Sequence, residues 1–113
     1  MKSKIIALSK NEEFKNLLNQ RKISNKYVTI FFGKLINKNH RKLNISFVTK
    51  KKIGNAVKRN KIKRRLRNIM NEATKNISIN FNYSFLVIAK SSMLNNEYKI
   101  IKETLFQDLE KIK

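Results

Sequence analysis

From Lys50 to Arg67 the chain carries ten basic residues and no acidic one. The run passes directly into a stretch with helical apolar spacing. With 100° between residues, Ile62, Leu66, Ile69, Met70 and Ala73 fall within about a third of the circle, and Asn60, Lys63, Arg64 and Arg67 lie on the far side. The pattern predicts a helix over about residues 57–74, with one face for a core and the opposite face for a polyanion. A solvated surface is the commonest explanation of a basic run. Three features oppose it here. Gly54 stands at the loop-to-helix junction, where backbone amides can approach phosphates. The basic side chains share one helical face. Four of the six Arg residues of the chain, Arg59, Arg64, Arg65 and Arg67, fall within this run. Arg offers a planar fork of donors that Lys cannot imitate, so its retention in a Lys-rich chain points to fork contacts.

Composition extends the same inference. Lys plus Arg number 27 and Asp plus Glu 7, a net charge of +20 on 113 residues. Abundant Lys, Asn and Ile fit drift toward A- and T-rich codons, but such drift would raise Glu as well. The scarcity of acids is therefore a signal of its own, and it calls for a polyanionic partner. The length predicts one domain over 1–113, and 41% apolar residues suffice for a modest core. With no Cys there is no disulfide scaffold and no thiolate chemistry. No apolar run approaches the ~20 residues that span a bilayer, and Met1–Lys10 lacks the pattern of a secretory signal. The cytoplasm is the expected compartment, without a membrane partner.

The remaining elements follow from spacing. Ser9 and Glu12 fit a capping box, predicting a first helix over about 10–20 with Phe14, Leu17 and Leu18 on its apolar face. Ile23 marks a short edge strand. Residues 27–36 and 43–50 have strand character, the first with Val28, Ile30 and Phe32 on one face and Tyr27, Thr29 and Phe31 on the other. Residues 37–42 are a polar turn holding His40, the only histidine. Residues 83–89 are apolar on both faces, as an inner strand is. Asn95 or Asn96 can cap a last helix with the stripe Tyr98, Ile101, Leu105, Leu109 and Ile112. The order of elements predicts an α+β sandwich. The seven carboxylates, Glu12, Glu13, Glu72, Glu97, Glu103, Asp108 and Glu110, all fall on predicted helices and form no recognisable acid/base pair or two-metal cluster. No catalytic residue and no protein-held metal site is expected.

The run from Lys51 to Arg67 resembles the signature of the bacterial ribonuclease P protein subunit, K-K-x-G-x-A-V-x-R-N-x-x-K-R-x-x-R, and satisfies it at every position. The resemblance extends in order along the chain: Phe14 in a first helix, an aromatic strand, the basic helix, a strand from Tyr83 to Ala89 followed by Lys90, and a last amphipathic helix. It implies an αβββαβα sandwich with a mixed four-stranded sheet and a left-handed βαβ crossover, an exception to the usual hand. It implies an endoribonuclease subunit that assists removal of the 5′ leader from precursor tRNA. Hydrolysis would be catalysed by an RNA subunit, with Mg²⁺ held mainly by that RNA and the substrate. Its partners would be ribonuclease P RNA and precursor tRNA, one protein to one RNA.

Carried onto this chain, Lys51, Lys52, Asn55, Arg59, Asn60, Lys63, Arg64 and Arg67 would contact RNA. Gly54, Ala56 and Val57 would be architectural. Phe14, Phe31 and Lys50 would line a cleft for the single-stranded leader, where aromatics stack bases; Phe14 and Phe31 are equally readable as core. The chain departs from the pattern at Leu18 (often aromatic), Arg21 (often Gly), Lys50 (often Ser or Ala) and Ser84 (usually Asp). The rival readings are a basic ribosomal or RNA-assembly protein without a reaction, a membrane-surface helix, and a double-stranded DNA binder. The first does not predict the full signature around Gly54, the second requires the apolar face of residues 62–73 to be exposed, and for the third no recognition-helix pair is visible.

Overall fold

The computed structural model describes residues 5–6, 21–34, 43–77, 79 and 83–112. Among these lie five strands, β1 (Ile5–Ile6), β2 (Arg21–Ser24), β3 (Val28–Lys34), β4 (Leu43–Val48) and β5 (Tyr83–Ala89). The helices are α1 (Ala56–Asn76) and α2 (Tyr98–Glu110), each preceded by a 3₁₀ turn, at Lys51–Ile53 and Ser91–Leu94. The strands form one sheet in the order β1-β4-β5-β3-β2. β4 and β5 run parallel, joined through α1, while β3 is antiparallel to both β5 and β2. This is the expected mixed α+β architecture of four main strands, with the two-residue β1 added beside β4. The expected first helix, with Phe14 and Leu18, and the turn with His40 lie outside the described residues.

Both helices pack on one face of the sheet. Ile62, Leu66, Ile69, Met70 and Ala73 of α1 join Ile101, Leu105 and Leu109 of α2 over Val28, Ile30, Phe32, Ile45, Phe85 and Val87. Each large side chain so buried is worth about 1.5–3 kcal/mol, and this packing leaves α1 no freedom to roll. Its opposite stripe must therefore face away from the sheet. The other sheet face carries a smaller cluster in which Leu86, 2% exposed, packs with Phe31, Val48 and Ile88. β5 is buried on both faces, as its continuous apolar run predicts. Ser84, opposite Asn44 in the β4–β5 register, is buried too; the Asp usual at this position would have to bury a charge there.

Two local expectations are corrected. Tyr27 does not share the face of Phe31 but is 4% exposed in the main core. It precedes β3 within an Asx turn, where Asn25 Oδ1 accepts hydrogen bonds from the amides of Tyr27 and Val28 at 2.7 and 2.9 Å, so strand alternation does not govern it. Neither Asn95 nor Asn96 caps α2. Asn96 Nδ2 donates to the Ser92 carbonyl at 2.6 Å, and the N-cap is Glu97, without a side-chain bond. The two helices are also tied by polar contacts. Tyr98 Oη donates to Glu72 Oε2 at 2.8 Å, and Lys102 Nζ lies 3.8 Å from Glu72 Oε1. Burial, then the hydrogen bond to Glu72 and its negative charge, push the Tyr98 phenol up to about 12.

Candidate nucleic-acid interface

The interface begins where β4 ends. Ile53, 8% exposed, anchors the 3₁₀ turn in the core, which leaves its companions Lys51 and Lys52 exposed. Gly54 then turns the chain at φ 157° and ψ −167°, a region essentially reserved for glycine. A Cβ here would lie 2.8 Å from Lys58 Cδ. Asn55 follows as the N-cap of α1, its Oδ1 accepting from the Lys58 amide at 3.0 Å. No acid occupies the first turn of α1, so the positive end of the helix dipole adds to the Lys charges around it.

Along α1, Asn60, Lys63, Arg64 and Arg67 are exposed, together with Lys58 and Lys61. Among the described residues the ion pairs are Lys102–Glu72 and Lys111–Asp108, so no carboxylate neutralises this stripe. The arrangement is a rod of cations and amides with no acidic partner among the described residues, suited to a phosphate backbone. Two Arg residues of the run behave differently. Arg59 is half-buried, its Nε buried without a hydrogen-bond partner among the described residues. Arg65 turns inward, its Nη1 reaching the carbonyls of Met93 and Asn96 at 3.4 and 3.5 Å. Val57, expected to be architectural, is 77% exposed amid the cations.

A groove of about 500 Å³ opens on the sheet face away from the helices, lined by Thr29, Lys50, Lys52, Ile88, Lys90 and Ser91 among others. Lys50 is thus in the groove wall, and Phe31 lies on the same face, half-buried against Leu86, with Lys22 Nζ 5.9 Å from its ring centroid. Sequence reasoning missed the parts that Thr29, Lys90 and Ser91 play in this wall. They meet Lys50 through strand pairing between distant segments, with Thr29 opposite Ile88 and Ile88 opposite Val48. Only the placement of Lys90 directly after an inner strand hinted at it.

A family model for ribonuclease P matches residues 3–113. The chain belongs to the ribonuclease P protein family. Curated members resemble it over most of their length. The ribonuclease P protein component of Carboxydothermus hydrogenoformans is 37% identical over 102 residues, covering 87% of this chain and 83% of that one. That of Mycoplasma mycoides is 31% identical over 113 residues, the whole of both chains. In structure, the ribonuclease P protein of Thermotoga maritima superposes with a TM-score of 0.80 over 96% of this chain and 98% of that one, at 22% identity. The Staphylococcus aureus protein does so with 0.76 over 94% and 93%, at 25% identity. Membership of this family implies a part in tRNA processing as the protein component of an endoribonuclease that includes an RNA. Among the described residues no helix is long and apolar enough to cross a membrane.

Two of the described carboxylates are committed within the fold. Glu72 is engaged by Tyr98 and Lys102, Asp108 by Asn25 and Lys111, and no three His, Asp or Glu converge among the described residues.

Proposed function

We propose that this ribonuclease P protein binds the catalytic RNA through Lys51, Lys52 and the exposed stripe of α1, and receives the 5′ leader of precursor tRNA in the groove beside Lys50 and Phe31. Hydrolysis of the phosphodiester bond belongs to the RNA subunit, and the Mg²⁺ of the reaction to that RNA and its substrate. The protein's own residues bind and orient. The stripe from Asn60 to Arg67 fixes the protein on a folded RNA. The groove, with ammonium groups beside apolar Ile88, suits a single strand whose phosphates and bases are both within reach. One protein per RNA, in the cytoplasm, completes the reading.

The observation that carries it is the cation stripe of α1, without an ion pair among the described residues and held outward by a fully packed apolar stripe, in a chain that belongs to this family. Reconstitution tests it. Mixed with a bacterial ribonuclease P RNA and a precursor tRNA at low Mg²⁺, the protein is expected to raise the rate of leader removal well above that of the RNA alone. RNA-free protein is expected to show no specific cleavage. Equal rates with and without protein, or specific cleavage by the protein alone, would sink the proposal. Recovery of ribosomal RNA as the sole bound RNA would favour a basic assembly protein instead.

A further inference from the structure

Lys90 is the one cation of the groove wall whose ammonium is held in place by the described fold. Its Nζ donates to the Asn25 carbonyl at 2.6 Å and to Ser24 Oγ at 2.9 Å. Both acceptors are neutral, and no carboxylate pairs with Lys90 among the described residues, so the full positive charge remains available. Asn25 is itself clamped. Its Nδ2 donates to Asp108 Oδ2 at 2.7 Å, across 83 residues of sequence, while its Oδ1 takes the amides of Tyr27 and Val28. Asp108 is a buried carboxylate on α2, and its other oxygen lies 3.7 Å from exposed Lys111. Ser24 Oγ is also 3.2 Å from Thr29 Oγ1, which lines the groove. With Ser24 accepting from Lys90, its own proton can go to Thr29, which leaves the Thr29 hydroxyl free to donate into the groove.

We propose that Asp108 and Asn25 are positioning residues for Lys90. The carboxylate on α2 fixes the β2–β3 turn, and the turn's carbonyl, with Ser24, fixes the ammonium where a phosphate of a single strand passes. The inference rests on the reading of the groove as the leader's channel. It adds that leader affinity depends on a buried acid that touches neither RNA. A long Lys side chain gives up rotamer freedom whenever it is fixed on a ligand. Here the fold has already done so before the ligand arrives, which lowers the entropy lost on binding.

Two measurements separate this inference from the reading beneath it. In the full-length free protein, the NMR order parameter of the Lys90 ε-methylene should fall on Asp108→Ala and, less, on Ser24→Ala. Ser24 is exposed, so its loss leaves the fold intact even where Asp108→Ala does not. In the reconstituted holoenzyme, the ratio of precursor to mature tRNA affinity should fall about fivefold on Lys90→Ala and about threefold on Asp108→Ala, sizes within the net range of a typical single hydrogen bond. In the Lys90→Ala background Asp108→Ala should cause no further loss, and Asp108→Asn, which keeps an acceptor oxygen, should recover most of the single-variant loss. An unchanged order parameter in both variants, or losses from Asp108→Ala that persist without Lys90, overturns the positioning role. A Lys90 that loosens as expected while Lys90→Ala leaves the affinity ratio intact overturns the leader reading of the groove instead.

Discussion

At Gly54 the backbone conformation disfavours any side chain, and a Cβ would also push the exposed Lys58 side chain aside. Gly54→Ala is expected to lower stability by about 1–3 kcal/mol, the cost of holding a non-glycine residue in that region. It should appear as a lower urea midpoint at unchanged slope, and a loss below about 0.5 kcal/mol would mean that the turn relaxes without glycine. The neighbouring residues show how far single positions are readable. Placing residues at 100° intervals from Ile62 puts Arg59 at about +60°, between Leu66 and Met70, and Arg65 at about −60°, beside the apolar arc. Both positions foretell what the structure finds, a half-buried Arg59 and an Arg65 bound to the carbonyls of Met93 and Asn96. The same arithmetic puts Val57 about 140° away, on the cation face, where it is exposed. A basic residue of the run is thus no guarantee of an outward side chain: Arg59 and Arg65 follow their angle on the helix, while Lys58, at about −40° in the first turn, is exposed all the same.

Elements were legible wherever the packing that stabilises them has a period. The 3.6-residue stripe of α1 and the apolar run of β5 each place their buried residues as the sequence predicts. Legibility ends at element junctions, because there single hydrogen bonds compete with the period. Asn25 takes Tyr27 out of strand alternation, and Asn96 spends its amide on Ser92 rather than on a helix cap. The groove was hidden for a related reason, since Thr29, Lys50 and Lys90 meet only through pairing across the sheet. The link between α1 and α2 offers a test at this scale. The Tyr98 phenol is pushed up from 10.0 to about 12 by burial and by Glu72. A phenol that holds its proton more tightly in the folded state favours the fold as long as it stays protonated. That contribution is whole below pH 10 and is lost as pH rises from 10 to about 12. Tyr98→Phe should therefore cost stability at pH 8, about 1 kcal/mol for a part-buried hydrogen bond. The gap between wild type and variant should close above pH 11. A gap that is constant from pH 8 to 12 would show that the fold does not raise the Tyr98 phenol.

For the molecule as a whole, the question is whether +20 acts as a field or as a surface. A field of that size speeds encounter with any nucleic acid and cannot by itself choose an orientation. Packing gives the orientation, because the buried stripe of α1 fixes which way Arg64 and Arg67 point. Arg64→Ala together with Arg67→Ala should weaken binding to the catalytic RNA by on the order of 2 kcal/mol, with a shallower salt dependence because fewer counterions are released. Folding stability should hold or rise slightly, since like charges along the helix are relieved. Lys26→Ala together with Lys99→Ala removes the same charge from exposed sites outside α1 and serves as the comparison. Filter binding at several salt concentrations then separates the two accounts. If charge acts only in bulk, the two double variants lose affinity equally and their salt slopes coincide. If the surface is specific, the α1 variant loses several times more at every salt concentration. The excess should narrow as salt rises, by the difference between the two salt slopes, because each lost guanidinium–phosphate contact no longer releases a counterion.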